Sequence, residues 1–132
     1  MIEGLDAIET VTLFVEDVPA VRRFYEDVFG LKAIFEDPVS AVYRLGTLMI
    51  NLLHAREAPE LVTPLPVGAA DAGPRCLYTI RVKDVDAVCA ALGAHGVALL
   101  NGPIDRPWGR RTAAFRDPAG VVWEVACLLP SS

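Results

Sequence analysis

Residues 8 to 16, Ile8-Glu9-Thr10-Val11-Thr12-Leu13-Phe14-Val15-Glu16, are dominated by β-branched and aromatic side chains, the pattern of a strand. Asp17 follows in a position to cap a helix. Val18, Val21, Tyr25 and Val28 then recur at helical spacing with Phe24 beside them, so a helix is expected up to Gly30, where a left-handed C-terminal residue belongs. A short run from Leu31 to Phe35 leads to a turn at Asp37-Pro38. Two further strands are expected at residues 40 to 45 and 47 to 53, turning at Gly46.

After a stretch rich in Ala, Pro, Gly and acids, with prolines at 59, 64, 66 and 74, the opening pattern returns. Thr12 to Val21 aligns without gaps on Thr79 to Val88 at an offset of 67 residues, with Thr, Val, Asp, Val, Ala and Val identical. Asp84 is the second cap, and Val85, Val88, Cys89 and Leu92 form the apolar face of the second helix, closed by Gly93 or Gly96. Residues 97 to 100 are read as the next strand. The order is again strand, helix, three strands, which an internal duplication of a βαβββ unit explains. The fold class expected is α+β, with two sheets wrapped into a half-open mixed barrel and one helix backing each. One domain is expected, with module one at about 7–54, a connector at 55–75 and module two at 76–129.

Residues 101 to 126 read as a polar arm, a strand from Thr112 to Phe115, a turn at Asp117-Pro118-Ala119-Gly120, and a strand from Val121 to Ala126. Alternation sends Val122, Glu124 and Ala126 to one face and Val121, Trp123 and Val125 to the other. Glu124 is thereby a carboxylate in the middle of a hydrophobic strand, where an unpaired charge is costly. Pairing across the turn brings residues near Ala113 opposite Glu124, which makes Thr112 or Arg111 its candidate neighbour, and an Arg111 pair would offset the desolvation. Trp108, in a Pro-Trp-Gly turn, is a candidate surface for stacking a bound molecule. Trp123 is expected in the core. Tyr43 and Met49 are candidates for lining a cavity, Phe24 and Tyr25 read as helix packing residues, and His54 and His95 as surface or capping histidines.

Composition narrows the partners. The 132 residues carry 53% apolar and 22% charged side chains and a formal charge of −5, which gives little attraction for nucleic acid or anionic lipid. Cys76, Cys89 and Cys127 are an odd set without Cys-x-x-Cys spacing, so neither a disulfide framework nor a thiolate metal site is expected and a reducing cytoplasm fits. With no basic segment before an apolar run and no long apolar stretch, neither secretion nor a membrane span is expected.

Two βαβββ modules, with Phe24-Tyr25-x-x-Val28-x-Gly30-Leu31 ending the first helix and Asp117-Pro118-x-Gly120-x-x-x-Glu124 near the C-terminus, resemble the vicinal oxygen chelate superfamily of glyoxalase I, bleomycin resistance proteins, fosfomycin resistance enzymes and extradiol dioxygenases. The resemblance spans roughly residues 7 to 129. It implies a concave sheet around a small-molecule site and, in the catalytic members, a divalent metal held from four equivalent strand positions. Those positions fall here on Thr10, Leu77, Asn51 and Glu124. Leu77 cannot ligate and Thr10 does so poorly, so no metal cofactor is expected; if one is bound, Glu124 and Asn51 are its ligands.

The resemblance leaves three functions open. The first is a metal-free binder of a small molecule, with Thr10, Asn51, Trp108, Arg111 and Glu124 as its binding residues. Another is a metal-dependent lyase, isomerase or dioxygenase resembling glyoxalase I. In the last, Glu124 is a catalytic general base and Arg111 polarises a carbonyl. The family resemblance also implies a homodimer.

Overall fold

Asp17 and Asp84 start the two helices by the same device. In the computed structural model, which describes residues 1–130, each aspartate accepts a hydrogen bond from the backbone N–H three residues on, at Ala20 and Ala87, both at 3.0 Å. The first of these helices, α1, spans Val18–Asp27 and follows a strand, β1, at Thr10–Val15. Then come β2 at Ala33–Asp37, β3 at Ser40–Leu45 and β4 at Leu48–His54. Gly30 and Gly46 take positive φ at the turns expected of them.

These strands form a sheet in the order β1-β4-β3-β2, with β1 and β4 parallel and the other pairs antiparallel. One face carries Leu13, Val15, Ala41, Tyr43, Ile50 and Leu52, all buried, and it faces α1 through Val18, Val21 and Tyr25. Tyr43 therefore belongs to the helix-covered core. Its hydroxyl donates to Glu26 at 2.7 Å, and Arg22 closes the group by donating to Glu26 and Glu36. The rings of Phe24, Tyr25 and Phe29 pack edge to face or tilted around the end of the helix.

The stretch read as a connector is partly helical. A 3-10 turn at Ala55–Glu57 is capped by His54, whose Nδ1 accepts from the Arg56 N–H, and a short helix, α2, occupies Pro59–Val62. Ala58 between them is buried, which explains why this Ala- and Pro-rich segment is ordered against the module.

The second module repeats the pattern with β5 at Tyr78–Arg81, α3 at Val85–Ala94, β6 at Leu99–Arg106, β7 at Arg110–Arg116 and β8 at Val122–Leu128. Its sheet order, β5-β8-β7-β6, and its one parallel pair, β5 with β8, match those of the first. Trp123, Val125, Ala113 and Phe115 are buried on the face toward α3, as expected for Trp123, and His95 ends α3 as a cap residue. The chain divides into two compact units, Met1–Ala70 and Asp71–Ser132.

Two features differ from the sequence reading. The polar arm is mostly strand, because β6 runs to Arg106 and pairs with β7 through two register shifts, one at Leu100 and one that absorbs Gly102 and Pro103. Gly102 is needed there: its φ is +86°, and a Cβ would lie 2.4 Å from the carbonyl oxygen of Thr112. The register of β7 on β8 is also shifted by one. Asp117 Oδ1 accepts from both Ala119 and Val121 at 2.8 Å, which keeps Val121 in the turn, so Ala114 rather than Ala113 lies opposite Glu124.

Candidate functional site

That one-residue shift decides what surrounds Glu124. A row of direct partners crosses the second sheet from Thr79 through Glu124 and Ala114 to Asn101, and alternation puts all four side chains on the face away from α3. The Thr79 hydroxyl donates to Glu124 Oε1 at 3.0 Å. Among the described residues Glu124 forms no ion pair, so its charge is half-buried and held by a neutral hydroxyl alone.

Arg111 is not its partner, which corrects the expected pair. It lies opposite Cys127, on the face toward α3, where Nε and one terminal nitrogen donate to Asp86 at 3.0 and 2.9 Å and the other donates to Asp105 at 2.8 Å. These carboxylates, Asp86 first, hold the guanidinium well above its ordinary pKa, and Asp86 is held below the usual carboxylate range in turn. Arg111 ties the strand to the helix.

Arg106 is a cation on the Glu124 face that side-chain hydrogen bonds hold in place. Its Nε donates to Thr112 Oγ1 at 2.9 Å, a terminal nitrogen donates to Asn101 Oδ1 at 3.2 Å, and its carbon lies 5.8 Å from the centre of the Trp108 ring. Thr112 is buried, which fixes one anchor, and Trp108 is 66% exposed. The sequence reading singled out Trp108 and offered Thr112 as a neighbour of Glu124, but it missed Thr79 beside Glu124 and Asn101 beside Arg106. A signal existed for Thr79, since Thr12 and Thr79 are identical in the repeat.

In the first module the threonine at the same repeat position, Thr12, is the direct partner of Asn51. Asn51 is thus to Thr12 what Glu124 is to Thr79. Its Oδ1 is buried and accepts no hydrogen bond from the described residues. Thr10 shares that face, opposite Met49, and donates to Glu9 at 3.4 Å. Met49 is half-buried there, whereas Tyr43 points to the opposite face.

A metal would need several His, Cys or carboxylate donors close together. Among the described residues no three such groups are clustered. Leu77, 49% exposed just ahead of β5, brings only carbon, and the hydroxyl of Thr79 occupies a Glu124 oxygen. Thr10, Asn51, Leu77 and Glu124 do not fit as a divalent-metal set. What the second-module face offers is hydrogen-bond chemistry: a carboxylate acceptor at one end, a guanidinium donor at the other and the small Ala114 between them.

A duplicated βαβββ chain, with a half-buried carboxylate on the face of its second sheet away from α3, defines an α+β protein of glyoxalase type. The sequence model of the Glyoxalase/Bleomycin resistance protein/Dioxygenase superfamily matches residues 7–125, and the chain belongs to that superfamily. It is 28% identical over 128 residues to Virulence protein STM3117 of Salmonella typhimurium, an alignment covering 92% of this chain and 84% of that protein. Among solved structures, a glyoxalase/bleomycin resistance protein/dioxygenase from Nocardioides superposes with a TM-score of 0.86 at 22% identity, covering 98% of this chain and 87% of the other. TnmS3, an antibiotic binding protein from Streptomyces sp. CB03234, superposes with a TM-score of 0.70 at 24% identity, covering 95% and 98%. Among the described residues no helix is long and apolar enough to cross a membrane.

Proposed function

We propose that this chain is a metal-independent small-molecule binder of the superfamily and that Glu124, held by Thr79, is the acceptor that orients its ligand. The observation that carries this reading is the half-buried Glu124 carboxylate with a neutral hydroxyl as its partner, on a strand position where the neighbouring Leu77 brings no ligating atom. A carboxylate in that state gains most from a donor on a bound molecule, because a charge-assisted hydrogen bond replaces water at little rearrangement of the protein. The use of the same fold by an antibiotic binding protein is in keeping with this reading. Pairing into a homodimer is part of the proposal, and sedimentation of the purified chain tests it.

A thermal-shift screen of small molecules in the presence of a chelator tests the binding claim. Ligands that stabilise the wild type should lose most of that effect in Glu124→Gln, which keeps the size of the side chain and removes its charge. A set of ligands indifferent to Glu124→Gln would overturn the assignment.

A further inference from the structure

We infer that Arg106 is the anchor for a carboxylate on the ligand, so that the molecule bound on this face is an organic acid; this rests on the small-molecule reading above and gives its ligand a chemical class. The other guanidiniums that the structure holds firmly, Arg22 and Arg111, are each paired with two carboxylates. Arg106 is held by neutral groups only, the Thr112 hydroxyl, the Asn101 amide oxygen and the Trp108 ring. Among the described residues it forms no ion pair, so its charge is positioned and uncompensated.

The geometry also says which part of the fork is free. Nε and the adjacent terminal nitrogen are the edge spent on Thr112 and Asn101. The end of the fork, formed by the two terminal nitrogens, keeps a parallel pair of N–H donors, the arrangement that matches the two oxygens of a carboxylate. Since Thr112 is buried and Asn101 lies in the sheet, the guanidinium is ordered before any ligand arrives, which lowers the entropy lost on binding. Arg110, the direct cross-strand partner of Arg106, adds a second positive charge on the same face and likewise has no ion pair among the described residues. Trp108, exposed beside them, offers an aromatic surface to the rest of the molecule.

Glu124 fixes the orientation. It stands two strands away from Asn101 across Ala114, on the order of 10 Å at ordinary strand spacing. An acid bound at Arg106 therefore keeps its negative group away from Glu124, and a donor at its other end can meet the carboxylate.

Calorimetric titration of the whole chain with 1-naphthoate and with its neutral isostere 1-naphthamide, both with chelator present, separates charge from shape. The wild type should bind the acid at least about tenfold more tightly than the amide, the size of one charge-assisted hydrogen bond. That preference should vanish in Arg106→Gln and persist in Arg111→Gln, which removes a guanidinium on the opposite face. Arg106→Lys, which keeps the charge without the fork, should retain only part of the preference, and it decides the matter if Arg106→Gln does not fold. Equal affinity for acid and amide in the wild type would overturn the anchor while leaving a binder that does not select acids. Binding of neither probe would also overturn it, and the Glu124→Gln screen then decides the small-molecule reading separately.

Discussion

Thr79 and Glu124 are direct partners across the parallel pair of β5 and β8, and the hydroxyl of one donates to the carboxylate of the other at 3.0 Å. The first module keeps the geometry and changes the chemistry, with Asn51 opposite Thr12. A duplicated framework thus presents a charged acceptor in one copy and a neutral one in the other.

Thr79→Val tests whether that hydroxyl serves the site or the fold. The bond is solvent-accessible, so its loss should cost no more than about 1 kcal/mol in denaturant unfolding. Affinity for Glu124-dependent ligands should fall by about tenfold, because the freed carboxylate rotates away from its position.

Tyr43 supplies a pH signature for the first module. Burial, then the hydrogen bond to Glu26, pushes its phenol up to about 12 from an ordinary 10.0. A group with a raised folded pKa gives stability that is complete below its unfolded value and is lost as pH rises through the folded one, so stability should decline between about pH 10 and 12. The same bond, with Arg22, lowers Glu26, whose contribution is present above its unfolded value and is lost as pH falls through the depressed one. Tyr43→Phe should cost about 1 to 2 kcal/mol at neutral pH and flatten the alkaline decline, both measurable by denaturant unfolding across pH.

Arg111→Ala should lower the melting temperature with no effect on ligand affinity, since its partners Asp86 and Asp105 lie on the helix-covered side of the sheet. Both carboxylates are largely exposed, so the difference from wild type should shrink in high salt.

Gly102→Ala should be among the more damaging single changes in the second module. The added carbon meets the Thr112 carbonyl and the Ala113 backbone at a φ of +86°, and unfolding should show a loss of about 2 kcal/mol or more. A neutral result would mean that β6 can move away from β7.

The modules, their order and both helix caps were legible in the sequence because they rest on local signals: β-branched runs, aspartate caps and a gapless repeat. The neighbours of Glu124 were not. One residue of register separates Arg111 from Thr112, and that residue was set by the Asp117 side chain holding Val121 inside the turn, a contact that no periodicity records. The arm from residue 101 to 106 read as loop because Gly102-Pro103 breaks the alternation, whereas the structure carries the strand through by shifting its register. Arg106 was visible only as one of several basic residues until its anchors, Asn101 and Thr112, fell on the same face.

Equilibrium dialysis of the wild type and Glu124→Gln against zinc, nickel, manganese and magnesium ions, followed by elemental analysis, tests the metal-independent reading most directly. The account predicts less than about a tenth of an equivalent of any ion retained by either protein, because one carboxylate with an amide, a hydroxyl and a leucine is no ligand set. One equivalent held by the wild type and lost in Glu124→Gln would contradict it.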